Sequence, residues 1–388
     1  MKILAITFSS GRNGGANKSF LMVIEQLRNL YGHEIFTVIP EQGGIEEDLI
    51  KLKMPYTVIP LRQPVTMMAY NIKDIVRKLR ANYIAFCHWL SAYTNAAKLK
   101  KQNFDIVYIN GSNQLCGYYL SKALKIPFVC HFRGASSKEN YFVYNQKKLF
   151  NDKNGKIIAI SDYMRNKLPE ILGINKEQIV LVHNGLEWHC DSPSPQNRDN
   201  GIHCVLCGRI IWAKGHMDAI EALHILKKQG IDNVYLHIAG SLKSAYQPYL
   251  DKLNERIGEL GIGDRVIFED EVTDMPGFRC NMNIELVCSV CEPFGRVTVE
   301  GMQSGLVVIG ANTGGTLDII EDNKNGLLYR QGNPEDLAEK IRFVIENEQT
   351  AIKLASEARK FAKTHFTMEQ NVESINRVLA EQANKKYI

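Results

Sequence analysis

The strongest constraint in this sequence is a pattern that runs twice: short apolar runs alternate with longer amphipathic stretches on either side of one segment with neither period. In the first series, Ile3–Phe8, Glu34–Ile39, Tyr56–Ile59, Asp105–Asn110, Pro127–His131, Lys156–Ile160 and Gln178–Val182 read as strands. Several are β-branched and nearly continuous, as expected of strands buried on both faces of a parallel sheet. Helical patterns such as Asn17–Leu30 and Leu115–Leu124 lie between them. From His189 to Asn200 the apolar period vanishes and two prolines appear, which marks a linker. The second series places strands at Ile202–Cys207, Val234–Ala239, Arg265–Phe268, Ile284–Cys288, Val307–Ile309 and Gly326–Tyr329. Its helices fall near Lys214–Gln229, Tyr246–Leu260, Gly295–Ser304, Pro334–Asn347 and Thr350–Lys363, with a last stretch from Met368 towards Lys385. Two such series predict two doubly wound α/β sheets facing a cleft. The expected division is a first domain over 1–187, a hinge over 188–200, a second domain over 201–366 and a terminal helix over 367–388.

The length of 388 residues suits two domains. A net charge of +5 is too weak for a nucleic-acid binder but suits an anionic ligand or an acidic membrane surface. No run approaches the roughly 18 apolar residues of a membrane span. The start, Met1 to Phe8, reads as a buried strand rather than a secretory signal, so a cytosolic chain is expected. Cys204-Val205-Leu206-Cys207 and Cys288-Ser289-Val290-Cys291 have metal-ligand spacing, but both start in strand-like runs. Positions i and i+3 of a strand face opposite ways, so these thiols read as small buried hydrophobes and no metal site is expected.

In doubly wound sheets, ligands bind beyond the carboxyl ends of the strands, which directs attention to three glycine-bearing turns. Ser9-Ser10-Gly11-Arg12-Asn13-Gly14-Gly15-Ala16-Asn17 closes the first strand; it matches neither a dinucleotide fingerprint nor a Walker loop, and reads equally as a tight turn or a phosphate contact. Cys207-Gly208-Arg209-Ile210-Ile211-Trp212-Ala213-Lys214-Gly215 can place two cations in one crevice, a fork and a point charge for phosphate oxygens. The third turn, from Cys291 to Met302, carries Glu292 before a helix beginning about Gly295 and Glu300 inside that helix, roughly 8 Å along its axis. Between the two carboxylates, the helix start at Gly295-Arg296-Val297 offers amides to a diphosphate. Ribose, diphosphate and sugar of a nucleotide sugar share this layout.

Together these residues resemble family 4 of the retaining glycosyltransferases, which have the two-domain GT-B fold of two Rossmann-like domains. The resemblance spans essentially the whole chain. It rests on Gly14-Gly15, His131, Asn184-Gly185, Gly208-Arg209 with Lys214-Gly215, Glu292 and Glu300 with seven residues between them, Gly305, Gly314-Gly315 and Asn325-Gly326. It implies that the last helix returns to the N-terminal domain. It also implies that Arg209 and Lys214 neutralise the donor diphosphate and that Glu300 accepts from the ribose hydroxyls. Glu292 would face the donor sugar, with His131 near the reacting sugar. Gly14, Gly15, Asn184, Gly208, Phe294, Gly295, Arg296 and Val297 fall to donor binding, with Asp270, Glu271 and Val272 in a base-proximal loop. Catalysis would thus rest on His131, Arg209, Lys214 and Glu292. Two departures from the family pattern, Gly301 for alanine and Leu306-Val307 for Leu-Pro, alter local backbone geometry without removing a charge.

The implied activity is retaining transfer of a hexosyl or N-acetylhexosaminyl unit from a nucleotide-diphosphate sugar, most simply a UDP-sugar, to a glycan or lipid-linked acceptor in cell-surface polysaccharide or glycoconjugate synthesis. The two cations balance the diphosphate, so neither metal nor cofactor is expected. A UDP-sugar 2-epimerase of the same fold and a non-catalytic transferase subunit are the competing readings. Arg62–Tyr70 and Arg133–Tyr144 match no pattern, which leaves the acceptor open. Tyr83, Phe86, Trp89 or Leu90, and Tyr93 share one helical face between Arg77, Lys78, Arg80 and Lys98, Lys100, Lys101. Such a face either joins the core or rests on the acidic inner surface of a membrane.

Overall fold

The computed structural model describes residues 1–7, 11, 15–60, 73–111, 115–134, 150–188, 201–241, 246–269, 272–385 and 387. The chain forms two compact units, Met1–Gly185 with Met368–Ile388 and Leu186–Thr367.

The first unit is built on a seven-stranded, all-parallel sheet. Its strands are β1 (Lys2–Ile6), β2 (Glu34–Ile39), β3 (Tyr56–Val58), β4 (Ile106–Asn110), β5 (Phe128–Phe132), β6 (Gly155–Ala159) and β7 (Ile179–Leu181), in the order β3-β2-β1-β4-β5-β6-β7. Ile3, Leu4, Ala5 and Ile6 are all fully buried, which requires cover on both faces. Helix α1 (Gly15–Tyr31) supplies part of it through Phe20, Val23, Ile24 and Leu27, one face at helical spacing. Helices α2 (Gly44–Lys51), α3 (Lys73–Lys100), α4 (Leu115–Leu124) and α5 (Asp162–Leu172) follow. Ser161 caps α5 by accepting from the Met164 amide, and Gly173 ends it in the left-handed conformation.

The second unit has a six-stranded parallel sheet of β8 (Ile202–Cys207), β9 (Val234–Ala239), β10 (Val266–Glu269), β11 (Ile284–Val287), β12 (Val307–Ala311) and β13 (Leu327–Tyr329), in the order β10-β9-β8-β11-β12-β13. Its helices are α6 (His216–Lys228), α7 (Gln247–Leu260), α8 (Met275–Arg279), α9 (Arg296–Gln303), α10 (Pro334–Glu346) and α11 (Glu348–His365). Strand order reverses between β8 and β11, and at such a switch point the two neighbouring loops diverge to opposite faces and leave room for a ligand. The loops leaving β8 and β11 are the second and third glycine turns.

The last helix, α12 (Met368–Ala383), belongs to the first unit: Val372, Ile375 and Leu379 are fully buried in one cluster with Ile3, Ala5, Ile106 and Ile158. Its Asn376 Oδ1 lies 2.7 Å from His33 Nε2. The expected hinge lies outside the described residues except for Trp188, and so do most of the two unassigned stretches, 62–70 and 133–144.

Helix α3 bears on the core reading of the aromatic stripe. Tyr83, Phe86, Trp89, Leu90 and Tyr93 are all exposed, and so is Leu79, so the stripe is not core. Phe86 stacks on Trp89, which in turn contacts Tyr93. The core side of the helix is carried instead by His88, Ala92, Ala96 and Leu99. Among the described residues, no helix is long and apolar enough to cross a membrane.

Truncating Ile375 to Ala should cost about 2–5 kcal/mol of first-unit stability, since it opens a cavity in the cluster beneath β4, β5 and β6. Hydrogen exchange should show faster exchange across residues 106–110 and 128–132 with the 202–207 strand unchanged; wild-type protection at 106–110 and 128–132 would remove α12 from this core.

Candidate active site

The turn after β8 is shaped by close backbone approaches. Gly208 has φ 145°, and a Cβ there would meet Lys214 Cε at 3.2 Å, so the lysine stem lies across the glycine. A Cβ on Gly240, at the end of β9, would fall 1.8 Å from the Gly208 carbonyl oxygen. A short 3-10 turn over Trp212–Lys214 ends at Gly215, φ 69°, where a Cβ would lie 2.0 Å from the Cys288 carbonyl. Only glycine fits these contacts. The Val290 amide donates to the Ala213 carbonyl at 3.0 Å, joining the loops after β8 and β11 across the switch point.

Lys214 Nζ thereby reaches the Glu292 carboxylate and forms an ion pair with it. Ser289 Oγ donates to the same Oε1 at 2.6 Å. Glu292 is held from the other side by the Gly314-Gly315 doublet: the Gly315 amide donates to the Glu292 carbonyl at 2.7 Å, and a Cβ on Gly314 would meet that oxygen at 2.5 Å. The Phe294 side chain is buried edge-on against Phe366, which anchors the turn. Gly295, φ 99°, turns the chain into α9, whose first amides and positive dipole end face this turn. Arg209 is exposed at the same sheet edge, with no carboxylate partner among the described residues. Glu300 sits one turn into α9, its carboxylate shared by Arg279 at 3.2 Å and Arg296 at 3.4 Å. Val272 packs at the edge of the small cluster of Val205, Cys207 and Ala239.

This arrangement brings Gly208, Lys214, Glu292, Gly295, Arg296, Val297 and Glu300 onto two adjoining loops and one helix start. Gly14, Asp270 and Glu271 lie outside the described residues. In the first unit, Gly15 opens α1. His131 ends up fully buried beside Tyr108, whose hydroxyl is 2.8 Å from Nδ1. Arg133 donates to the Tyr108 hydroxyl at 3.4 Å, to Asn110 Oδ1 at 3.0 Å and to Asn184 Oδ1 at 2.8 Å. The Tyr108 hydroxyl and His131 Nδ1 share one hydrogen bond whose direction follows the tautomer of the imidazole. Nε2 is buried and has no hydrogen-bond partner among the described residues. Burial, reinforced by Arg133, lowers the His131 pKa well below its ordinary value and keeps the ring neutral. Asn184 lends its side-chain oxygen to this network.

Among the described residues, no group of three or more His, Cys, Asp or Glu side chains is placed to hold a metal. Cys204, Cys207 and Cys288 are buried free thiols and Cys291 is partly buried; burial pushes the Cys288 thiol up to about 12.

A family model described as glycosyl transferases group 1 matches residues 191–361, and one described as glycosyltransferase family 4 matches residues 13–187. The chain belongs to this family. It is 29% identical to an uncharacterised glycosyltransferase of Methanocaldococcus jannaschii, over 75% of this chain and 81% of that one. It is 25% identical to a capsular polysaccharide biosynthesis glycosyltransferase of Staphylococcus aureus, over 54% of this chain and 57% of that one. Among solved structures, Anabaena HepE in complex with UDP matches with a TM-score of 0.80 at 23% identity, covering 98% of this chain and 100% of that one. HepE in complex with UDP-glucose matches at 0.74 and 23%, covering 98% of both. These likenesses make the fold GT-B.

In the second unit, four residues of the candidate site escape the sequence reading: Gly240, Ser289, Arg279 and Glu285. Gly240 had a usable signal, a glycine directly after an apolar strand. Ser289 is hidden inside a C-x-x-C pattern, and the other two become meaningful only through the packing of α8 against β11.

Buried imidazoles give the fold an acid limit. Burial pushes His216, at the start of α6, down to about 4 and His131 lower than its ordinary value. The unfolded chain takes up these protons near pH 6.5 and the native one does not, so this stability is complete above about 6.5 and lost as pH falls below it. The melting temperature should drop between pH 6.5 and 5, and His216→Phe should flatten that drop. A wild-type melting temperature level across this window would contradict the burial.

Proposed function

We propose that this glycosyltransferase moves a hexosyl or N-acetylhexosaminyl unit from a UDP-sugar to a hydroxyl of a glycan or lipid-linked acceptor, with retention of anomeric configuration and without a metal ion, in cell-surface polysaccharide synthesis. The observation that carries this reading is the partly buried pairing of Lys214 with Glu292 beside the start of α9. A cation, a carboxylate and a helix dipole converge there at the switch point of the sheet. The UDP and UDP-glucose held by HepE and the capsular role of the Staphylococcus aureus relative support the donor and the pathway class.

A diphosphate offers Lys214 a second anion, and its transfer there leaves a Glu292 oxygen for a hydroxyl of the donor sugar. Arg209 adds the second positive charge, and the first amides of α9, including that of Val297, add their dipoles. These groups stabilise the charge that builds on the departing β-phosphate as the C1–O bond lengthens, the kind of preorganised electrostatic effect that often dominates catalysis. The acceptor oxygen bonds to C1 from the face the phosphate leaves, and the phosphate takes the acceptor's proton. Glu300, deeper along the helix, accepts from the ribose hydroxyls.

The exposed stripe of α3 suits a peripheral contact with an acidic bilayer. The helix carries six basic residues and one acidic one, Asp74, and Lys98 and Lys100 are exposed beyond the aromatics. Apolar side chains enter the interface while lysines meet the headgroups. A second copy of the same basic helix is a poorer partner, because like charges would face each other.

Arg209→Ala and Lys214→Ala should each lower turnover roughly 100- to 1,000-fold in chelator-treated buffer, the exposed Arg209→Ala with a melting temperature close to wild type and Lys214→Ala folded but with a lower one, since it leaves the Glu292 carboxylate without its cation. Near-normal rates in both would remove the site assignment. Proton NMR of the product should show the donor's anomeric configuration; inversion, or epimerised sugar formed without acceptor, would overturn the mechanism. The protein should sediment with vesicles containing anionic lipid, and Phe86→Ser with Trp89→Ser should abolish this. Binding indifferent to lipid charge, or loss of a dimer instead, would refute the membrane contact.

A further inference from the structure

Below Glu300 lies an ion pair that the proposed chemistry does not use. Arg279 closes the short helix α8 with its side chain 3% exposed, and Glu285, in the middle of β11, is fully buried. Arg279 Nε donates to Glu285 Oε2 at 2.7 Å. Its outer nitrogen donates both to Glu285 Oε1, at 3.5 Å, and to Glu300 Oε2, at 3.2 Å. The strand partners of Glu285 are Val205 and Val308, so a carboxylate there stands among apolar neighbours. Such a group is costly unless paired, and an apolar residue would serve stability as well. Burial pushes the Glu285 carboxyl up, against the pull of Arg279.

The spacing of α9 against β11 completes the arrangement. A Cβ on Gly301, the residue after Glu300, would lie 2.8 Å from Glu285 Cβ and 2.9 Å from its Cγ. Those atoms are the root of the side chain and cannot swing aside. Glycine at 301 thus lets the helix approach β11 to the distance at which one guanidinium spans both carboxylates. The departure from the family's alanine has a physical reason here.

We infer that Arg279, anchored by Glu285, is a positioning residue that fixes the Glu300 carboxylate for the ribose hydroxyls. The inference rests on the ribose role of Glu300 proposed above. A lysine could not replace Arg279, because an ammonium lacks the planar fork that bridges two acceptors. With Oε2 held from the buried side by Arg279 and Oε1 by Arg296, Glu300 meets a ligand without first losing side-chain freedom.

The test compares UDP with 2′,3′-dideoxy-UDP by calorimetry. Wild type should prefer UDP, and Glu300→Ala should erase the preference. Replacing the buried pair together, Arg279→Met with Glu285→Leu, should keep the melting temperature near wild type. It should weaken UDP about tenfold and leave the dideoxy nucleotide unchanged. Arg279→Lys, which keeps a partner for Glu285, should move the preference in the same direction and guards against a double variant that fails to fold. Wild-type preference in folded variants, with Glu300→Ala defective, would overturn the positioning role alone. Absence of preference in wild type itself would overturn the ribose reading and this inference with it.

Discussion

The second unit depends on how closely the loops after β8 and β11 approach each other. Gly215 and Gly240 bring backbone against backbone, Gly208 leaves room for the Lys214 stem, and Gly314 lies close against the Glu292 backbone. Lys214 and Glu292 can then meet at the sheet edge with most of their surface covered. In such a place Coulomb interactions act through a lower effective dielectric than water, so a ligand anion feels the lysine strongly. Helix α9 starts at the same point because Gly295 takes a left-handed turn that other residues adopt with strain. Charge, dipole and shape therefore all follow from a handful of missing side chains.

Much of this was legible in the sequence because parallel strands buried on both faces leave a plain signature. Glu34–Ile39, Ile202–Cys207 and Val234–Ala239 have the bounds read from apolar runs, and Leu115–Leu124 those read from helical spacing. The short helices α2 and α8 were not readable, since five to eight residues hold too few turns for a period to emerge. The aromatic stripe of α3 was ambiguous for another reason. Spacing shows that residues share a face, but the identity of the opposite face decides which one is buried. Here the buried side is the less conspicuous set of His88, Ala92, Ala96 and Leu99.

The same distinction separates charged residues found by motif from those found by packing. Glu292 and Glu300 stand out by their interval beside a glycine turn. Arg279 and Glu285, six residues apart across a helix end and a strand, look like a solvated pair in sequence and are almost wholly enclosed in the structure. In the first unit, Tyr108 and Asn110 of β4, Arg133 and Asn184 likewise come from three separate segments to hold one neutral histidine. Site residues supported by buried polar networks are set more rigidly than loops alone would allow.

In the proposed function, the turns at 208–215 and 292–297 grip a diphosphate by charge and helix dipole without a metal. Calorimetric titration of the wild-type protein with UDP, UMP and uridine in the presence of chelator tests it directly. The account expects UDP to bind at least about tenfold tighter than UMP, from an added charge-assisted contact, and uridine to bind weakest. Equal affinity for UDP and UMP, or UDP binding that appears only when a divalent cation is restored, would contradict it.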